Sequence, residues 1–399
     1  MYKLTLHGKT YVGCNEDAWR STSRLWFESK STKVKYGAAF TGSRFDGSNG
    51  FAPQSGMNEA GLTFSRLASY VPTQKNQKNL KIIHNPTKFL KDILHACQTV
   101  EEVNKLISSY DRSIFLDVFI FIDKSGKYLV VEPYSTQIGN ATSYVLSNFC
   151  PSITPQREAL KLNRYRKGWE LLKMKQDTSL VFLRSLSDSM HVCRPKVGDG
   201  TLLTSIWDLN DGKFHLYFYH DYRYVHSFSL LDELRKGNHQ LNIEKLFPVN
   251  REFQQLKHYY TTKNARWMYA LMIFFSVILF FSSGYFFILF IRKKTTAIYL
   301  NLILAFFGFI VGFYLVLLCT HQSIFYFQAP YQDPFNVVVG YASYVPNLLL
   351  CSILPLVYGS VKMYKNNQRP TFSRKLWIAN NLIYLVLICF FGYWSLFWC

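Results

Sequence analysis

His7-Gly8-Lys9-Thr10-Tyr11-Val12-Gly13-Cys14-Asn15-Glu16-Asp17-Ala18-Trp19 is the stretch on which the reading of this chain turns. Just before it, Lys3-Leu4-Thr5-Leu6 alternates polar and apolar residues, and Lys9-Thr10-Tyr11-Val12 alternates again. The pattern predicts a hairpin over residues 2–13 with a tight turn near Gly8. Its second strand ends in a polar cluster, Asn15-Glu16-Asp17, followed at once by Trp19. Taken alone, this is a strand that runs into an ordinary turn.

Two further segments change that reading. Gly56-Met57-Asn58-Glu59-Ala60-Gly61-Leu62 follows a long Gly-, Ser- and Asn-rich loop over 42–56, and Val145-Leu146-Ser147-Asn148 closes a short strand. An N-terminal hairpin ending in Gly-x-Asn-x-Asp, a Gly-Met-Asn-Glu-x-Gly-Leu segment and a strand ending in asparagine, in that order, resemble the linear amide C–N hydrolases. This group of N-terminal nucleophile hydrolases includes choloylglycine hydrolases, penicillin V acylases and the isopenicillin-N acyltransferase type. The resemblance covers residues 2–230 and implies a four-layer αββα sandwich.

It also implies a chemistry. Such enzymes attack an amide carbonyl with the thiol of their first mature residue, and that residue's own α-amine, with an ordinary pKa of about 8, is the base. By the resemblance, Asp17 orients the amine and Asn148 helps to hold the oxyanion; Cys14 and Asn15 rank second. Asn58 and Glu59 read as turn residues. The sequence departs from the family pattern twice. Cys14 stands where arginine usually precedes Asn-x-Asp, and no cysteine opens the chain, which begins Met1-Tyr2. Cys14 could be the nucleophile only if cleavage after Gly13 removed the hairpin strand, and Cys97 falls on an expected helix as buried core.

The expected elements fit the same sandwich. Strands are expected over 24–28, 36–40, 62–67, 114–122, 128–131, 143–146, 201–208, 214–220 and 225–230. Pro86 opens a helix, and the capping box Thr99-x-x-Glu102 opens the next. Thr154-Pro155 starts a third helix running to about Lys175, and a fourth covers 178–190. Blocks of strands separated by helix pairs point to stacked antiparallel sheets under helical layers, an α+β fold.

Composition splits the chain near Arg266. Residues 267–399 hold only 8 of the 45 basic and 1 of the 25 acidic residues. Trp267–Ile291, Thr295–Tyr331, Pro334–Val361 and Leu376–Cys399 carry no charge and each exceeds the roughly 20 residues that cross a bilayer. The expected organisation is an amide hydrolase-like domain over 1–250, a juxtamembrane linker over 251–266 and a four-helix transmembrane domain over 267–399. Asn347, Asn380 and Asn381 inside the spans read as interhelical hydrogen-bonding groups. The lack of acidic and basic side chains there argues against an ion-coupled transporter.

The net charge of +20 is scattered over the chain without a nucleic-acid-binding signature, and suits a domain tethered beside anionic lipid. Cys14, Cys97, Cys150 and Cys193 form no CxxC pair, so neither a metal site nor a cofactor is expected. The expected partners are a small N-acyl amide substrate and the lipid bilayer.

Topology follows from the positive-inside rule. Arg292, Lys293 and Lys294 follow the first span, and Lys362, Lys365, Arg369, Arg374 and Lys375 follow the third, whereas the loop after the second holds only Asp333. This puts the two basic loops in the cytoplasm and residues 1–266 and Cys399 outside. An exported domain needs a signal peptide, yet Met1–Gly8 has no apolar core for one. A missing signal and a missing nucleophile at the same end have one common explanation: the natural chain begins upstream, with the cysteine one to three residues before Met1. The competing readings are a catalytically inactive relative that acts as a tethered binding or scaffold module, and a membrane protein whose soluble domain only binds a ligand.

Overall fold

The computed structural model describes residues 1–18, 22–69, 80–115, 117–194, 199–292, 298–321, 323–326, 328–332, 336–365 and 370–397. Trp19, Lys293, Lys294, Asp333, Arg369 and Cys399, all named above, lie outside the described residues. The chain divides into two compact units, Met1–Cys193 with Gly198–Leu256, and Lys257–Cys399.

The first unit opens with the expected hairpin, β1 (Tyr2–Leu6) and β2 (Lys9–Ala18), in the register Tyr2↔Gly13 to Leu6↔Lys9. His7 and Gly8 both take positive φ, 51° and 75°, the two-residue turn whose twist matches the strands it joins. Gly13 must be glycine because the Tyr2 ring lies over it: a Cβ there would stand 2.2 Å from the ring.

The chain then builds β3 (Arg24–Glu28), β4 (Ala38–Gly42), β5 (Ser55–Asn58), β6 (Thr63–Ala68), β7 (Asp117–Ile122), β8 (Tyr128–Val131), β9 (Thr136–Gly139) and β10 (Ser143–Val145). It ends with β11 (Asp199–Asp208), β12 (Lys213–Phe218), β13 (Asp221–Ser229) and β14 (His239–Asn242). One seven-stranded sheet runs β10-β1-β2-β11-β12-β13, with a short strand paired to β11, and an eight-stranded sheet runs β9-β8-β7-β6-β5-β4-β3-β14.

Helices α1 (Pro86–Ala96) and α2 (Val100–Ile107) cover the outer face of the second sheet. Leu90, Ile93, Leu94, Val100, Val103 and Ile107 bury there against Phe40, Phe64, Phe119 and Phe121. Helices α3 (Asn163–Met174) and α4 (Leu180–Ser189) cover the outer face of the first, where the Tyr2 hydroxyl donates to the Leu183 carbonyl at 2.7 Å. Between the sheets, Glu16 of β2 meets Thr41 of β4 and Ser55 of β5. The order helix, sheet, sheet, helix is the expected αββα sandwich.

Several boundaries differ from expectation for physical reasons. Residues 55–58 were expected to close a loop and open a turn, yet β5 is a fully buried strand between β4 and β6. Pairing on both sides outweighs the low strand preference of its glycine and asparagine. The helix expected from Thr154 to Lys175 breaks after a short Gln156–Ala159 turn, and α3 starts at Asn163, a residue type that favours helix starts over interiors. Cys97 is the residue that ends α1, still buried. Within the expected linker, α6 (Arg251–Lys257) follows α5 (Leu230–Arg235), and its Phe253 packs on Phe218 at 4.7 Å.

The second unit holds four helical segments long and apolar enough to cross a membrane: Arg266–Ile291, Ile298–Thr320, Val337–Lys362 and Thr371–Tyr393. Polar side chains inside them pair between helices. Asn380 donates to Ser282 at 2.6 Å, Asn381 to Ser360 at 2.8 Å, and Ser276 to the Gly312 carbonyl at 3.0 Å. Lys362, Arg374 and Lys375, expected in loops, lie in helix ends, where charged heads reach the interface.

Asn58, in the Gly-Met-Asn-Glu segment, is a structural tie. Its amide donates to the Leu94 and Cys97 carbonyls at 2.7 and 2.8 Å, and its Oδ1 accepts from the Ala60 and Leu62 amides. Asn58→Ala leaves these buried groups without partners, at about 1–3 kcal/mol for each unsatisfied group. The full chain in detergent should then unfold roughly 5 °C or more below wild type. Unchanged thermal unfolding would remove this tie from the account.

Candidate active site

Strand β1 is interior to its sheet, so the start of the chain is buried. Met1 pairs with Leu146 on both sides: its α-amine donates to the Leu146 carbonyl at 3.0 Å, and the Leu146 amide donates to the Met1 carbonyl at 3.1 Å. Burial lowers the pKa of that amine to about 6; Cys14 and Asp17 oppose the shift, and Arg164 adds to it.

Alternation along β2 sorts the polar cluster onto two faces. Asn15 and Asp17 point toward the covering helices. Asp17 accepts from Arg164, on the first turn of α3, at 2.6 Å, and from Thr201 of β11 at 2.7 Å. The same guanidinium donates to Asn148 Oδ1 at 3.3 Å, and Asn148 Nδ2 donates to the Ala68 carbonyl at 2.7 Å. Arg164 therefore joins the two sequence-predicted site residues, which lie 131 positions apart in the chain. Asn15 lies beside them but is committed: its amide donates to the Ser187 carbonyl at 2.9 Å, and its oxygen accepts from Thr204 at 2.8 Å. Asn15 ties β2 to α4 and β11, a positioning contact.

Cys14 and Glu16 point the other way, between the sheets. Cys14 is 2% exposed, and burial, reinforced by Glu16, pushes its thiol up to about 11. Such a thiol is inert as a nucleophile. Cys14, Cys97 and Cys150 are free thiols. No group of three or more His, Cys, Asp or Glu side chains among the described residues is placed to hold a metal ion.

Sequence reasoning missed Arg164. The usual arginine is absent at position 14, and a guanidinium reaches the centre from α3 instead. Several basic residues cluster at 157–167, so no local signal singles this one out.

Glu16 is the second group that was overlooked. It is 2% exposed and accepts from Thr41 and Ser55, with Oε2 left without a partner among the described residues. Burial raises its pKa from 4.5 to about 7, while the two hydroxyls hold it down. A folded-state pKa above the unfolded value favours folding while the carboxyl is protonated, and that contribution is lost as pH rises from 4.5 through 7. Glu16→Gln keeps the shape without the charge. The variant should unfold at about the wild-type temperature near pH 4 and above it at pH 8, by roughly 5 °C or more. A constant difference across this range would contradict the assignment.

Residues 20–144 match the family described as linear amide C-N hydrolases, choloylglycine hydrolase family. No curated protein matches. Two variants of conjugated bile acid hydrolase from Clostridium perfringens align at 18% identity over 63% of this chain, covering 99% and 97% of theirs, with TM-scores of 0.48 and 0.46. Penicillin V acylase from Agrobacterium tumefaciens aligns at 12% identity over 60% of this chain and 90% of its own, with a TM-score of 0.47. Over residues 20–144, the first unit is similar in sequence to the linear amide C-N hydrolases of the choloylglycine hydrolase family.

Proposed function

We propose that this protein is a membrane-anchored hydrolase or acyltransferase acting on linear C–N amide bonds, with its first unit outside the cytoplasm. The observation that carries the reading is the place of β1. The start of this strand lies beside a bridged Asp17–Arg164–Asn148 group.

The nucleophile in this reading is a cysteine one to three residues upstream of Met1, exposed as a new N-terminus when a signal peptide is removed. The register of β1 carries such a residue past Cys14 and Leu146 toward Asn15, Ser147 and Asn148. Its thiol adds to the amide carbonyl while its α-amine takes the thiol proton. Asp17 orients that amine. The oxyanion is held by the second N–H of Asn148, the first being bound to Ala68. Collapse of the adduct expels the amine product with the proton returned to it, and water or a second amine then resolves the thioester. The acyl group is that of a small N-acyl amide.

Expression of the longer reading frame, followed by mass spectrometry of the mature protein, should give an N-terminal cysteine. In that protein Asn148→Ala and Asp17→Asn should abolish most turnover, since loss of one oxyanion donor costs about 10²–10³ in kcat. A mature chain that begins at Met1, or an upstream frame without cysteine, would favour a tethered binding module instead.

The positive-inside bias supports cytoplasmic loops after the first and third spans. Protease added to intact cells or spheroplasts should then remove the first unit and leave the spans behind. Full protection would reverse the orientation.

A further inference from the structure

A second site lies away from the Asp17–Arg164–Asn148 group. A cavity of about 770 Å³ in the first unit is lined by Arg184 and Asp188 of α4, by the β12–β13 turn and by residues 248–252. That turn is built against the preferences of its residues. Tyr219 and His220 connect Phe218 to its partner Asp221, and both occupy the left-handed region, at φ 51° and 46°. Two-residue turns of this kind favour Asn-Gly, and bulky side chains are strained in them. Strain of this sort persists where the surrounding structure imposes it, commonly at ligand sites.

The strained turn fixes a histidine in the cavity wall. The His220 ring stacks on His191 at 5.5 Å, and its buried Nε2 has no hydrogen-bond partner among the described residues. Charge around it is unevenly paired. Arg223 is held bidentate by Asp221 at 2.8 and 2.7 Å, and Asp188 is engaged by His191 at 3.0 Å. Arg184 and Arg251, which also line the cavity, form no ion pair among the described residues. Glu252 carries the remaining carboxylate, 3.7 Å from His220 Nε2, too far for a hydrogen bond.

We propose that this cavity binds a phosphate-type anion. Arg184 and Arg251 clamp its oxygens, His220 Nε2–H donates the orienting hydrogen bond, and Glu252 stands in for the anion when the site is empty. Guanidinium pairs suit the planar, multi-oxygen geometry of phosphate. Arg251 lies in α6, only 15 residues before the first membrane span, so free phosphate and the phosphodiester of an anionic lipid head group are the two sources of this chemistry.

The test uses the full chain in non-ionic detergent and reads thermal unfolding. One arm titrates inorganic phosphate against potassium chloride of equal ionic strength, and the other replaces part of the micelle with phosphatidylglycerol against phosphatidylcholine. A saturable rise in Tm is expected in at least one arm, and the arm that responds names the source. Arg184→Gln with Arg251→Gln should remove the rise, and Glu252→Gln should strengthen binding about three- to tenfold. His220→Gly should raise the basal Tm by releasing the turn, yet lose at least tenfold in affinity. The proposal is overturned if neither arm gives a saturable rise, or if the rise survives in the double arginine variant and in His220→Gly. A turn that is strained for structural reasons alone would gain stability in His220→Gly and leave the anion response unchanged.

Discussion

The interior place of β1 in its sheet is the constraint on which this structure depends. Strand β1 is flanked by β2 and β10, and Met1 exchanges both of its backbone groups with Leu146. Beside Met1, Arg164 of α3 donates to Asp17 and to Asn148. The register of β1 against β2 and β10 fixes its first residues as firmly as core residues.

The two faces of β2 then divide the work. Toward the helices, Asn15 and Asp17 bind α4, α3 and β11, so the first sheet and its covering helices share one polar network. Toward the second sheet, Glu16 is met by hydroxyls from β4 and β5. A carboxyl whose pKa is raised by burial links the two sheets. Both networks arise from the same five residues, Gly13 to Asp17, through the period-two alternation of a strand.

Much of this was legible in the sequence. Alternation over residues 2–13, Gly8 at a tight turn and the capping box at Thr99 located the hairpin and α2 because each rests on local geometry. The uncharged segments after Arg266 located the helices long and apolar enough to cross a membrane for the same reason. Asp17 and Asn148 were singled out through motif order, and the bridge between them was not, because an arginine on a helix carries no local mark of what it will meet. The β12–β13 turn was missed for the opposite cause. Tyr219-His220 contains none of the residues that announce a turn, and the fold imposes the conformation against local preference. Strand β5 was likewise hidden, since its strand character comes from neighbours on both sides.

In the proposed reading, chemistry occurs at a cysteine just upstream of β1 and not at the thiol already present in β2. The most direct measurement is to react the mature product of the longer reading frame with a chloroacetamide probe at neutral pH and map the adduct by peptide mass spectrometry. A single fast adduct on the N-terminal cysteine is expected, slowed in Asp17→Asn, with Cys14 unmodified while the protein stays folded. An adduct on Cys14 in the folded protein, or an unreactive N-terminal cysteine, would contradict it.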